Sequence, residues 1–106
     1  MTKLPKPPSA YNDFVARFPK LGQAWDLLAE GGQAGPLDER TQRLVKLAVA
    51  IGALREGAVH ASVRKARALG ITDAELDQVI ALSAGTLGLP SAVAAFTWVH
   101  EKNRRD

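Results

Sequence analysis

The stretch Asp38-Glu39-Arg40-Thr41-Gln42-Arg43-Leu44-Val45-Lys46-Leu47-Ala48-Val49-Ala50-Ile51-Gly52-Ala53-Leu54 decides the architecture. Asp38 offers a carboxylate to the unpaired N–H groups of a helix start, and Glu39 suits the positive end of the helix dipole. Leu44, Leu47, Ala48, Ile51 and Leu54 recur at helical spacing on one face. Val45, Val49 and Ala50 widen that face until the second half is apolar nearly all round. A helix of this kind is buried on more than one side. The segment from 38 to 54 therefore reads as a central helix.

Working outward toward the C-terminus, the pattern predicts three more helices. One runs from about Gly57 to Leu69, with Val59, Val63 and Ala66 inward and Gly70 as its left-handed stop. Thr72-Asp73-Ala74-Glu75 is a capping box that launches the next, with Leu76, Val79, Ile80 and Ser83 on one face up to about Leu87. Gly88 breaks it, and Pro90 opens a last helix in which Val93, Phe96, Thr97 and Trp98 are expected to face inward and Lys102 to Asp106 to fray.

On the N-terminal side, Gly31-Gly32-Gln33-Ala34-Gly35-Pro36 reads as a loop, because three glycines and a proline punctuate it. Before it, Leu21, Trp25 and Leu28 mark a short helix that ends ahead of Gly31. Pro19 separates that helix from a stripe of Tyr11, Phe14, Val15 and Phe18, and the first eight residues, rich in proline and lysine, read as an extended arm. No segment alternates with period two. The reading is all-α, a helical bundle of five to six helices joined by short connections. Residues 1–36 form an N-terminal arm with short helices and residues 37–103 a single globular helical domain.

Composition narrows the chemistry. The chain of 106 residues has no cysteine, which removes thiol catalysis, disulfides and cysteine-ligated metals together. Its two histidines, His60 and His100, show no metal-ligand spacing, so no metal and no cofactor are expected. The longest apolar run, Leu47 to Leu54, falls short of the roughly 20 residues a membrane span needs. The N-terminus shows no hydrophobic signal core, so the expectation is a cytoplasmic protein without a membrane partner. A net charge of +3 with 14 basic and 11 acidic residues lacks the dense basic stripe of a nucleic-acid binder, although Arg64, Lys65 and Arg67 cluster. The wealth of alanine and glycine, with few large side chains, suggests that apolar surface is shared between subunits.

The segment Leu37-Asp38-Glu39-Arg40-Thr41, the pair Arg55-Glu56, then Val63-Arg64-Lys65-Ala66, Gly70-Ile71-Thr72, Glu75 and the turn Leu87-Gly88-Leu89-Pro90-Ser91-Ala92 follow one another in an order that resembles the carboxymuconolactone decarboxylase and alkylhydroperoxidase D-like family, over about residues 37 to 98. The resemblance implies an alkylhydroperoxidase D-like all-α fold that assembles as a homo-trimer or homo-hexamer with pockets near subunit contacts. The peroxidase branch carries Cys-x-x-Cys followed four residues later by His; the corresponding positions here are Arg55, Ala58 and Ser62. Without a thiolate there is no peroxidatic nucleophile, so thiol peroxidase activity is excluded. The decarboxylase branch has Arg-Glu, a second Glu and a His; Arg55 and Glu56 match, while Ala58 and Ser62 stand at the other two positions. His60 lies about 200° around the helix from Ser62 and is no simple replacement. The run Arg55-Glu56-Gly57-Ala58-Val59-His60 is similar to a cysteine-free subgroup with Glu-Gly-x-x-His.

Glu56 and His60 are four residues apart, and with a helix that begins by Glu56 both side chains lie on one face, within reach of one hydrogen bond. A carboxylate orienting an imidazole is an acid–base arrangement, and Glu56 and His60 are the candidate catalytic residues. Arg55 is the candidate for holding a substrate carboxylate through its planar fork, and Arg64 either joins it from the next turn or is solvated. Two functions follow: a non-redox enzyme with lyase- or isomerase-type proton chemistry on a small organic acid or lactone, or a catalytically silent oligomer that binds a small acidic ligand or serves as a scaffold. In the second, Glu56 simply suits a helix N-terminus and His60 is a half-buried partner. Nucleic-acid binding through Arg64, Lys65 and Arg67 is a distant third, and no nucleic acid is expected as a partner.

Overall fold

The computed structural model describes residues 9–101, and these contain six helices and no strand. The helices are α1 (Ser9–Arg17), α2 (Pro19–Gln33), α3 (Glu39–Gly52), α4 (Glu56–Ala68), α5 (Asp73–Leu87) and α6 (Leu89–Val99). The arm expected over the first eight residues and the fraying expected from Lys102 to Asp106 lie outside the described residues. Two compact units result. One holds α3 to α6 from Asp38 onward, and the other holds α1 and α2 up to Leu37.

In the larger unit α3 packs on α4 and α5, and α6 packs on the same two helices, so the ring order is α3, α4, α6, α5. The core at its centre is made of Leu47, Ala50 and Ile51 from α3, Val59, Val63 and Ala66 from α4, Ile71, Leu76 and Ile80 from α5 and its approach, and Ala92, Ala95 and Val99 from α6. Leu47, Ile51, Val59, Leu76 and Val99 lose essentially all contact with solvent. Burial of a side chain of this size contributes about 1.5–3 kcal/mol.

The helix ends follow from local chemistry. The Asp38 carboxylate accepts from the Thr41 N–H at 2.8 Å, which starts α3. Thr72 and Glu75 complete the capping box of α5: Thr72 N–H donates to Glu75 Oε1 at 2.8 Å, and Glu75 N–H donates to Thr72 Oγ1 at 3.2 Å. At the end of α4, Gly70 N–H reaches the Arg67 carbonyl and Ile71 N–H the Ala66 carbonyl, both at 3.0 Å, around a Gly70 φ of +91°. This is the two-bond closure of a Schellman motif. The end of α3 closes in the same way, Leu54 N–H to the Ile51 carbonyl and Arg55 N–H to the Ala50 carbonyl, with Leu54 at φ +54°. Side chains brace the ring: Arg40 of α3 pairs with Glu75, Arg67 of α4 donates to Asp73 and to the Val99 carbonyl, and His100 pairs with Asp77 of α5.

In the smaller unit Pro19 occupies the first turn of α2, where its missing N–H leaves no bond unmade. Gly22 lies against Val15 of α1; a Cβ there would stand 3.1 Å from the valine Cβ, so glycine permits the close approach.

Four expectations are corrected. First, α2 continues through Gly31 and Gly32 to Gln33. Glycine weakens a helix by about 1 kcal/mol but does not forbid one, and the chain leaves the helix at Ala34, whose backbone is extended. Second, α3 stops at Gly52, so Leu54 is not part of its inward face but sits in the left-handed turn, 47% exposed. Third, the broad apolar face of α3 is buried on one side only within the chain: Val45, Ala48 and Val49 are exposed. Fourth, α6 turns Ala92, Ala95 and Val99 inward, whereas Val93, Phe96 and Thr97 point outward; Trp98, half-buried, packs against the core as expected. Small alanines let α6 approach its neighbours closely, a gain that side-chain size alone does not reveal.

Candidate functional site

The site begins where the Leu54 turn releases the chain into α4. Arg55 takes the N-cap position with an extended backbone, and Glu56 is the first residue of the helix. Val59 and Val63 anchor this helix in the core, and His60, next to Val59, is carried to the edge of the buried face. One helical turn separates His60 from Glu56, and the imidazole Nε2 lies 3.2 Å from Glu56 Oε2. The His60 side chain is 13% exposed and that of Glu56 41%. The carboxylate therefore meets solvent and the imidazole stands behind it.

A third group arrives from elsewhere in the chain. Glu101 follows α6, and its Oε1 lies 3.6 Å from the same Nε2 of His60. The end of α6 is fixed on both sides. Arg67 of α4 donates to the Val99 carbonyl at 3.3 Å, and His100 Nε2 lies 2.5 Å from Asp77 Oδ1 of α5. Residue 101 then falls beside α4. One nitrogen and two carboxylate oxygens stand within 4.8 Å of one another.

The structure thus brings Glu56 and His60 together. Arg55 is exposed, with no side-chain bond to the helix end it caps. Arg64 lies one turn past His60 on α4 and is half-buried. Glu101 was missed by sequence reasoning, since nothing in its local pattern signals a partner on α4. His100 is half-buried against Asp77 and the Phe96 ring, whose centroid is 4.5 Å away.

The basic run on α4 divides into separate environments. Arg67 is engaged with Asp73 and Val99. Burial, followed by the neighbouring positive charges of Arg43, Lys46 and Arg64, pushes the Lys65 ammonium below its ordinary pKa. A cavity of about 510 Å³ lined by Arg17, Phe18, Pro19, Lys20, Leu21 and Gln23 belongs to the smaller unit, and its lining has no carboxylate or imidazole. No helix among the described residues is long and apolar enough to cross a membrane.

No curated protein and no solved structure matches the chain significantly. The model of the carboxymuconolactone decarboxylase family matches residues 19–101, a span that begins at α2 and includes Glu56, His60 and Glu101. With most of its length matched in this way, and with six helices among the described residues, the chain belongs to the carboxymuconolactone decarboxylase family.

Proposed function

We propose that this cysteine-free member of the family is a non-redox enzyme that moves a proton on a small organic acid or lactone, in lyase- or isomerase-type chemistry. The observation that carries the reading is the 3.2 Å contact between a largely enclosed His60 Nε2 and a more exposed Glu56 carboxylate. Glu56 is the group that meets the ligand, and His60 behind it holds or supplies the proton. Arg55, exposed one residue earlier, is available to a ligand carboxylate. The working form is a homo-oligomer, a trimer or hexamer. Support for that comes from Val45, Val49, Leu82, Val93 and Phe96, each at least 46% exposed in the single chain.

The test is hydrogen exchange from deuterated water into a panel of small carboxylic acids and lactones, followed by proton NMR. Wild type should exchange at least one of them, and Glu56→Gln and His60→Gln should lose that exchange while keeping helicity and oligomer mass. The alternative, a catalytically silent binding or scaffold protein, is favoured by one observation: His60 touches carboxylates from two parts of the chain, as a residue fastening α4 to the end of α6 would. Loss of the oligomer in both variants, with no exchange in wild type, would establish that alternative.

A further inference from the structure

We propose that Glu56, His60 and Glu101 form a binding site for one divalent transition-metal ion of the zinc type, with His60 Nε2 and one oxygen from each carboxylate as ligands and the remaining coordination position left to water or an oxygen ligand. The proposal rests on the same side chains as the proton-transfer reading and adds a cofactor to them.

Geometry is the first support. Zinc bonds to imidazole nitrogen and carboxylate oxygen of about 2.0–2.1 Å in a tetrahedron imply ligand-to-ligand edges of about 3.3 Å. The two edges at His60 measure 3.2 and 3.6 Å. All three donor atoms lie within 4.8 Å of one another. The two His60 edges bracket the required value.

Chemistry is the second. Two carboxylates, from α4 and from the end of α6, converge on this one nitrogen. A cation placed among the three atoms engages both carboxylates and the nitrogen lone pair at once. One nitrogen and two oxygens make a donor set of intermediate hardness. Imidazole favours zinc and its transition-metal neighbours over magnesium or calcium, and no thiolate is present to select copper(I) or a cluster. Three protein ligands leave a position open, as in catalytic rather than structural zinc sites.

Placement is the third. Glu56 and His60 stand on one face of the first turns of α4, which the core holds through Val59 and Val63. The third ligand is delivered by the packing of α6 on α4 and by the contacts of Val99 and His100. The imidazole is held with 13% exposure, while the carboxylates keep 41% and 35% and leave an approach from solvent.

The test is isothermal titration of zinc chloride into the metal-stripped full-length protein, with circular dichroism to confirm helicity. Wild type should bind one zinc ion per chain. His60→Gln should weaken binding by more than about 100-fold, since even the outer partners of metal ligands cost roughly 10- to 100-fold when removed. Glu101→Gln should weaken it at least about 10-fold, and Asp26→Asn, which removes an exposed carboxylate on α2, should leave it unchanged. Wild type that binds no tighter than His60→Gln, or binding that Asp26→Asn weakens as much as His60→Gln does, overturns the proposal. If the metal-free protein still exchanges protons in a His60-dependent way while zinc does not bind, the metal assignment fails and the proton-transfer reading stands.

Discussion

Leu54 occupies after α3 the left-handed position that Gly70 occupies after α4, at φ +54° against +91°, and the two flanking hydrogen bonds are the same pair in both turns. A side chain with a Cβ pays for that conformation with roughly 1–2 kcal/mol of steric strain, and glycine does not. The strained member of the two turns is the one that leads directly into Arg55 and Glu56.

Leu54→Gly is accordingly expected to stabilise the fold by about 1 kcal/mol, the left-handed strain relieved less the backbone entropy that glycine adds. Few contacts are lost, because Leu54 is 47% exposed. Gly70→Ala, in a space where a Cβ meets nothing within 4 Å, should destabilise by about 1 kcal/mol through backbone conformation alone. Urea denaturation followed by helical circular dichroism measures both, and opposite signs are the expected result.

The caps make acid sensitivity predictable. Hydrogen bonds from Thr41 hold the Asp38 carboxyl below its ordinary pKa. Those from Thr72, followed by Arg40, do the same for Glu75. A carboxylate with a lowered folded-state pKa contributes stability that is present above the ordinary value and lost as pH falls through the folded value. Stability should therefore decline on acidification below about pH 4.5, the ordinary value for glutamate. Glu75→Gln should make that decline shallower in thermal melts recorded from pH 6 to pH 2.

Removing the hydroxyl of the capping box is a separate test. Thr72→Ala should cost about 1 kcal/mol, the usual value for losing an N-cap side chain. The loss should appear at neutral pH and persist in salt, since the bond it removes is a short-range contact to the Glu75 N–H.

Lys65 carries the opposite sign. Its pKa is lowered by burial first and then by Arg43, Lys46 and Arg64. The folded state therefore disfavours its charge, and the penalty is present in full below the folded pKa and vanishes above the unfolded one. Lys65→Gln should raise the melting temperature at neutral pH. Part of the gain should fade at high salt, which screens the repulsion from the other cations but not the burial.

The outward apolar residues test assembly. Val49 on α3 is 66% exposed and Leu82 on α5 is 72% exposed. If these faces meet between subunits, Val49→Glu or Leu82→Glu should lower the mass found by light scattering while leaving the helical spectrum intact. A monomeric mass for wild type at micromolar concentration would remove the oligomer from the proposed function.

Local signals proved legible where one residue satisfies its near neighbour. The Asp38 cap, the Thr72–Glu75 box and the Gly70 stop act over three or four residues, so their partners are visible in the chain itself. The inward face of α4 was legible too, since Val59, Val63 and Ala66 are the only consistent apolar stripe there. On α6 the apolar residues run almost all round, and periodicity could not choose between Val93 and Phe96 on one side and Ala92 and Ala95 on the other. Close helix contact chose the alanines. The run through Gly31 and Gly32 was misread because glycine lowers helix propensity without setting a boundary.

The amino-acid order by itself determined that this chain is helical, that it has no thiol chemistry, and that Glu56 and His60 stand four residues apart, the spacing of one helical turn. Each of these follows from residue type or from spacing within a turn or two. Only the tertiary structure decided that Glu101 joins them, at 3.6 Å from His60. That contact depends on how α6 packs against α4 and on where Val99 and His100 anchor its end. Packing between helices is a property of summed side-chain shapes across the whole core, and no local pattern around Glu101 encodes it.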